Sequence, residues 1–311
     1  MPFSTGSNAR IRTNLASELA YNALSMAGRE VTTNQLRLST GKRINNAADD
    51  VAGYITSRAL IARNTTIKQS INIVGDANNV ANISMDALES VNEMLTIIKE
   101  NTATASSGVM GTDEKVALAK ASFRMIQQIQ TIVDSTVFGG RQLLDGNYDA
   151  NFFVGTNAVH DLITINLDLT SDNNDFNVTS GNIDLNALGV TSFGGVTNLD
   201  LKAYNNITSD DLGIFDNDVI GVTLKSLADA IDNVNKVAAY LGGMSNRLTS
   251  QEDILRSQLV NYKAAISRIE DTDVAKAQLD LIKNQFLQQA SLTSLSQSNA
   301  NPQDFIQLIR S

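Results

Sequence analysis

From Leu227 onward the chain carries an apolar ladder that steps alternately four and three residues. It comprises Leu227, Ile231, Val234, Ala238, Leu241, Ser245, Leu248, Glu252, Leu255, Leu259, Tyr262, Ile266 and Ile269, with only Ser245 and Glu252 polar. A strand needs period two, and a lone buried helix does not hold a 3.5-residue repeat over about six heptads. The pattern therefore predicts a helical rod of about 65 Å at 1.5 Å per residue, and a coiled-coil seam of that length requires a partner.

The first half of the chain supplies one. Ile73, Ala77, Val80, Ser84, Ala87, Val91, Met94 and Ile98 repeat the same spacing, and Val74, Ala81, Leu88 and Leu95 widen the stripe enough to touch two neighbours. A third helix follows, with Thr112 as its expected N-cap and Asp113 and Glu114 at the positive end of its dipole. Its stripe is Val116, Ala119, Phe123, Ile126, Ile129 and Val133, and Gly139-Gly140 is the expected stop. Pro2 and Pro302 are the only prolines, so nothing between them forbids long helices.

Three regimes follow one another: helix, interrupted twice, over 11–136, a Gly/Asn/Asp/Thr-rich stretch over 137–222, and helix again over 223–298. In the middle, Phe152–Gly155 and Leu162–Leu167 read as a β-hairpin, with weaker β runs at Phe176–Val178 and Leu199–Leu201. The two ends are thinner in large apolar residues: Leu15, Leu19, Tyr21, Leu24, Met26, Leu36 and Leu38 on one side, Leu279, Ile282, Phe286, Leu287, Leu292 and Leu295 on the other. Such sparse burial does not offset the entropy of ordering long segments, so each end is expected to need a partner. Asn301-Pro302 reads as a fresh cap opening a last apolar turn of Phe305, Ile306, Leu308 and Ile309.

Composition excludes several chemistries. There is no Cys and a single His160, which removes thiol catalysis, zinc–thiolate sites and the paired-histidine protease motif. No apolar stretch approaches a membrane span, and Met1–Ser7 has neither the basic nor the apolar part of a secretory signal. The net charge of −9 is concentrated between Asp145 and Asp218, where twelve Asp face a single Lys202. That is a solvated acidic surface with no basic face for nucleic acid and no EF-hand loop for calcium. Nothing indicates an enzyme, a cofactor or a metal site.

At this point the residues resemble bacterial flagellin, the subunit of the flagellar filament. Leu38-Ser39-Thr40-Gly41-Lys42-Arg43-Ile44-Asn45 with Ala48-Asp49-Asp50-Val51-Ala52-Gly53 is similar to the flagellin run LSSGxRIN…DDAAG. Ser267–Asp273 resembles SRIEDAD, Lys283–Ala290 resembles KNQxLQQA, Phe153–Ala158 resembles QVGAN, and the last residues are similar to the NQxPQxVLxLLR ending. The resemblance covers roughly the first 170 and last 90 residues. It implies a mostly α fold: a long antiparallel, coiled-coil rod built from both chain ends, with a small β-rich central insert. It also implies three parts: 1–44 with 271–311 as a terminal inner-tube domain, 45–175 with 223–270 as the rod, and 176–222 as a small β-rich exposed variable region.

The function implied is self-assembly into the extracellular filament for swimming motility. Expected partners are other copies of the chain, the flagellar export apparatus and its chaperone, and hook-associated and cap proteins, with no nucleic acid and no membrane insertion. Export through the flagellum itself would need no Sec signal. On this reading Leu15, Leu19, Leu38, Arg43, Asp49, Asp50, Arg268, Glu270, Asp271, Phe286, Leu287, Phe305, Leu308 and Ile309 serve assembly. Gly41 and Gly53 fall in the linking segment between tube and rod. One segment departs from the family: where flagellins sensed by the Toll-like innate receptor carry a run resembling LQRVREL, this chain has Leu95-Thr96-Ile97-Ile98-Lys99-Glu100-Asn101. Ile97 replaces the first Arg, and Lys99 replaces the second without its bidentate fork, so weak receptor activation is expected. The alternative is a hook–filament junction protein, which shares the terminal helices and a run similar to STGKR; here Asp49-Asp50 is followed by Val51, not Pro. A protease in the middle is excluded by the lone His160. Glycans on its Ser and Thr remain an open alternative to a plain solvated loop.

Overall fold

A computed structural model describes residues 13–154, 162–168, 196, 199, 201–216 and 218–310, with 301–310 described in secondary structure only. Five helices dominate: α1 (Leu15–Thr40), α2 (Val51–Ala105), α3 (Thr112–Ser135), α4 (Ile220–Glu270) and α5 (Val274–Arg310). Between α3 and α4 lie the strands β1 (Val137–Phe138), β2 (Arg141–Gln142), β3 (Asn147–Phe153) and β4 (Leu162–Asp168), then two 3₁₀ turns at Leu201–Asn205 and Gly213–Phe215. The chain divides into two compact units, 65–259 and the two ends, 1–64 with 260–311.

In the 65–259 unit the seams read from sequence are the core. None of the α2 positions from Ile73 to Ile98, and none of the α4 positions from Leu227 to Leu259, is exposed. Asn78 accepts a hydrogen bond from Ser245 (2.8 Å) and Asn92 donates to Asn235 (2.7 Å), so α2 and α4 run antiparallel. Asn101 donates to Ser122 across to α3 (3.3 Å), which returns along α2 after a short loop. Heptad spacing thus builds the bundle directly. Ser84, fully buried on the α2 seam, has no hydrogen-bond partner among the described residues.

Local details differ from the expectations in four places. The N-cap of α3 is Gly111, not Thr112: the Glu114 carboxylate accepts the Gly111 N–H (3.2 Å), which shifts the helix start by one residue. Helix α3 ends at Ser135, and Gly139-Gly140, with φ of 59° and 82°, forms the two-residue turn of the β1–β2 hairpin rather than a helix cap. Two consecutive positive φ values define that type of hairpin turn, and glycine adopts them without strain. The stretch Leu199–Leu201, expected as a β run, leads into 3₁₀ turns, and Leu201, Tyr204, Ile207 and Phe215 are buried rather than exposed. The run at Phe176–Val178 lies outside the described residues. Finally, α5 continues through Pro302 to Arg310 instead of restarting there, although an interior proline removes one backbone bond and crowds the preceding turn.

The β3–β4 hairpin forms, but its first strand ends at Phe153 and begins at Asn147, earlier than the Phe152–Gly155 run read from sequence, in the register Phe153 opposite Leu162 to Asn147 opposite Asp168. A buried tyrosine fastens the 3₁₀ segment to α2. The Thr102 hydroxyl donates to the Ile98 carbonyl (2.7 Å), so the Tyr204 hydroxyl donates to Thr102 (2.7 Å). Phe215 packs edge-on to the Tyr204 ring at 5.5 Å. Burial pushes the Tyr204 phenol up to about 12, so it stays a neutral donor.

Candidate assembly surface

In the unit formed by the ends, α1 and α5 pair antiparallel. Asn14 donates to the Ser298 carbonyl (2.8 Å) while its own side chain caps α1 at Ser17, and the Ser17 hydroxyl donates to Asn299 (2.9 Å). The side chains that turn inward follow a heptad spacing and mix small and polar residues with five larger aliphatic ones. On α1 these are Ser17, Ala20, Leu24, Ala27, Val31, Asn34 and Leu38; on α5 they are Ala277, Leu281, Asn284, Gln288, Ser291, Leu295 and Ser298. By the register of the two bonds, Leu24 falls opposite Ser291, Ala20 opposite Leu295 and Leu38 opposite Ala277. Large meets small, which lets the helices approach closely.

Other large apolar residues are left outside. Leu15, Leu19 and Met26 are 58%, 62% and 61% exposed, and Leu279 and Phe286 on α5 reach 69% and 73%. Leu287 is exposed as well, whereas Leu38, grouped with the assembly residues from sequence, is half-buried in the inner seam. Phe305, Leu308 and Ile309 lie on the last turns of α5, where only the backbone path is described.

Between helices, the two linking segments close on each other. Gly41 ends α1 in the left-handed conformation (φ 70°), and Lys42 then bridges Asp271 in an antiparallel pair. The Arg43 N–H donates to the Glu270 carbonyl (2.6 Å), and the Thr272 N–H donates to Gly41 (3.0 Å). Glu270, buried, is paired with Lys42 Nζ at 2.7 Å, and the Arg43 guanidinium donates to the Ile269 carbonyl (2.8 Å) while lying 3.7 Å from Asp50. The geometry thus brings Arg43, Asp50, Glu270 and Asp271 together. Arg268 stands exposed without an ion-pair partner among the described residues.

The acidic pair Asp49-Asp50 starts α2. Asp49 accepts the Asn46 and Asn45 N–H groups (both 2.9 Å), and these bonds hold its carboxyl below the usual carboxylate range. A depressed folded pKa means this contribution is full above the ordinary carboxylate pKa and is lost as the pH falls through the folded one. Asp50 accepts the Gly53 N–H (2.9 Å). A Cβ on Gly53 would lie 2.5 Å from Asp50 Oδ2 and 2.7 Å from Cδ1 of buried Ile44. Gly53→Ala is therefore expected to break the cap and destabilise the junction by about 2 kcal/mol, read as faster hydrogen exchange in the first turns of α2. Unchanged protection there would mean that the pocket relaxes freely.

Sequence reasoning missed Lys42, Ile44 and the α1–α5 seam, although the seven-residue spacing of Ala20, Ala27 and Asn34 was available as a signal. Among the described residues no group of three His, Asp or Glu side chains is arranged to hold a metal ion, and no helix is long and apolar enough to cross a membrane.

The family described as the bacterial flagellin N-terminal helical region matches residues 11–149, and the one described as the bacterial flagellin C-terminal helical region matches 224–309. The chain belongs to the bacterial flagellin family. Its relatives extend over nearly its whole length. A flagellin of Bacillus subtilis is 29% identical over 314 residues, spanning 97% of this chain and 100% of the relative. Flagellin FlaB1 of Treponema pallidum is 24% identical over 300 residues, 96% of this chain and 99% of the relative. A flagellin of Listeria monocytogenes is 25% identical over 306 residues, 97% and 100% respectively. Flagellins are structural proteins, not enzymes.

Within this flagellin-family chain the segment aligned with the receptor run divides by burial. Leu95 and Ile98 are fully buried in the bundle, whereas Thr96, Ile97 and Glu100 are exposed and Lys99 and Asn101 half-buried. Ile97 lies with Met94, Ala121, Arg124, Met125 and Gln128 along a shallow apolar groove between α2 and α3.

Proposed function

We propose that this chain is the self-assembling subunit of the extracellular flagellar filament and serves swimming motility. Its ends, 1–44 and 271–311, form the inner tube; 45–175 with 223–270 form the rod; and 176–222 form the outward part. The observation that supports this is the packing of α1 against α5, which covers Leu24, Leu38, Leu281 and Leu295 only in part and leaves Leu15, Leu19, Leu279 and Phe286 in water. A soluble molecule that exposes its large apolar residues on long helices is built for partners. The hook–filament junction alternative is not favoured, because both matched regions are flagellin regions. Export through the flagellum's own channel, a dedicated chaperone, and contact with cap and hook-associated proteins belong to the same reading.

The test is seeded growth. Purified full-length chain added to short filament fragments is expected to elongate them into long filaments, whereas a junction protein would only cap them. Dilute chain is expected to lose residues 1 to about 40 and those beyond about 271 to protease first, because α1 and α5 bury so little. Ends as resistant as the bundle, with no elongation, would overturn the proposal. We further infer weak innate-receptor activation, since Ile97 and Lys99 offer no forked guanidinium outward. A reporter-cell titration is expected to need far more protein than a strong agonist flagellin, and equal potency would refute it.

A further inference from the structure

The two linking segments meet where α1 ends and α5 begins. Lys42 faces Asp271 across an antiparallel bridge, flanked by the Arg43 N–H on the Glu270 carbonyl (2.6 Å) and the Thr272 N–H on the Gly41 carbonyl (3.0 Å). At the same place Lys42 Nζ holds the buried Glu270 carboxylate at 2.7 Å, its one ion pair among the described residues. We propose that this meeting point is a latch on the chain's own two ends. Closed, it lets α1 and α5 pair and fixes their register; open, it releases both. The latch rests on the filament-subunit reading, in which the paired ends must enter the assembly in one register, and names the device that sets it.

Three observations make the latch, rather than the seam, the source of register. The seam is degenerate by one heptad. A slide of that length sets Leu24 against Ser298 instead of Ser291, and Leu38 against Asn284 instead of Ala277, so stripe still covers stripe. The linkers leave no slack. Gly41, at φ 70°, ends α1 directly before the bridge, and Asp273 Oδ1 accepts the Ala275 and Lys276 N–H groups (3.0 and 3.1 Å), which starts α5 just after it. The register set at the bridge is the one kept at the far end of α1, where Asn14 bonds Ser298. The latch is also tied to α4. The Arg43 guanidinium donates to the Ile269 carbonyl (2.8 Å), one of those a helix end leaves without an intrahelical partner, and Asn45 Nδ2 braces the turn by donating to the Lys42 carbonyl (3.0 Å). Removing the lysine would leave Glu270 buried without its counter-charge, which costs far more than the loss of a surface pair.

The bridge is the non-hydrogen-bonded kind of antiparallel pair, with Cα atoms about 4.5 Å apart, inside the span of about 4.4–6.8 Å that a disulfide needs. The chain has no native cysteine, so a lock is easily read. Full-length Lys42→Cys/Asp271→Cys, oxidised in dilute solution, is expected to form an intramolecular disulfide, and Lys42→Cys/Leu279→Cys, off the bridge, to stay reduced. Closing the lock is expected to slow amide exchange along α1 and α5 about tenfold relative to the reduced form of the same chain. A second readout needs no cysteine: Lys42→Met is expected to speed the same amides about tenfold, and Lys42→Arg to leave them within about twofold. No disulfide at the bridge, or exchange along the ends indifferent to both the lock and Lys42→Met, would overturn the latch. Seeded elongation is read separately. Failure of the unmodified chain to elongate filaments would sink the filament reading whatever the exchange shows, whereas normal elongation with indifferent exchange would sink the latch alone.

Discussion

Phe286→Asp is expected to raise the critical concentration for polymerisation more than a hundredfold and to leave the free chain unchanged in helix content and melting. The side chain is 73% exposed in the single molecule, so the chain alone loses little when it is replaced. In an assembly that buries it, the substitution removes about 2 kcal/mol of apolar burial and sets a carboxylate against the apolar surface that covers it. A total of about 3 kcal/mol is a factor above one hundred in an association constant. Light scattering across a concentration series, beside circular dichroism of the dilute chain, separates the two effects. Normal polymerisation would mean that the face stays wet in the polymer, and an equal loss of stability in the free chain would mean that Phe286 serves its own fold.

The second large effect is expected inside the bundle. Leu95→Ala removes a side chain with no solvent exposure from the α2 seam, where the surrounding helices cannot fully collapse onto the gap. The expected cost is about 3 kcal/mol, which lowers the melting temperature of the 65–259 unit by about 9 °C. Ile97→Ala, two residues along and 39% exposed, is expected to shift it by less than about 2 °C. Calorimetry of the two variants side by side decides the matter. Equal losses would mean that the seam is not the core, and would undo the division of the receptor-aligned segment into a buried and a presented half.

The bundle was legible because its signal is additive. Thirteen positions from Leu227 to Ile269 repeat one spacing, and each large residue reports burial independently. The ends carried their meaning differently. Leu15, Leu19 and Phe286 read as apolar residues in need of cover, but hydropathy alone does not say whether the cover is the chain's own other end or another molecule. The inner seam consists of Ala, Ser, Asn and Gln at decisive points, residues that score as neutral, so it passed unnoticed. Leu38, which the resemblance groups with the assembly residues, lies half-buried in that seam. The 3₁₀ segment around Tyr204 was invisible because its order depends on Thr102, far away in sequence.

What the amino-acid order determines by itself is periodicity and exclusion: long paired helices, a hairpin joining the Phe152 and Leu162 runs, family membership through its motifs, and the absence of thiol or paired-histidine chemistry. Each follows from side-chain type and spacing along one chain. Which face of α1 meets α5, that Glu270 is spent on Lys42 rather than on a neighbour, and that Gly139-Gly140 turns a hairpin rather than ends a helix are decided only in three dimensions. Those outcomes depend on what residues distant in the chain bring to the same place, and a helix with apolar residues on several faces is free to bury any one of them until a partner makes the choice.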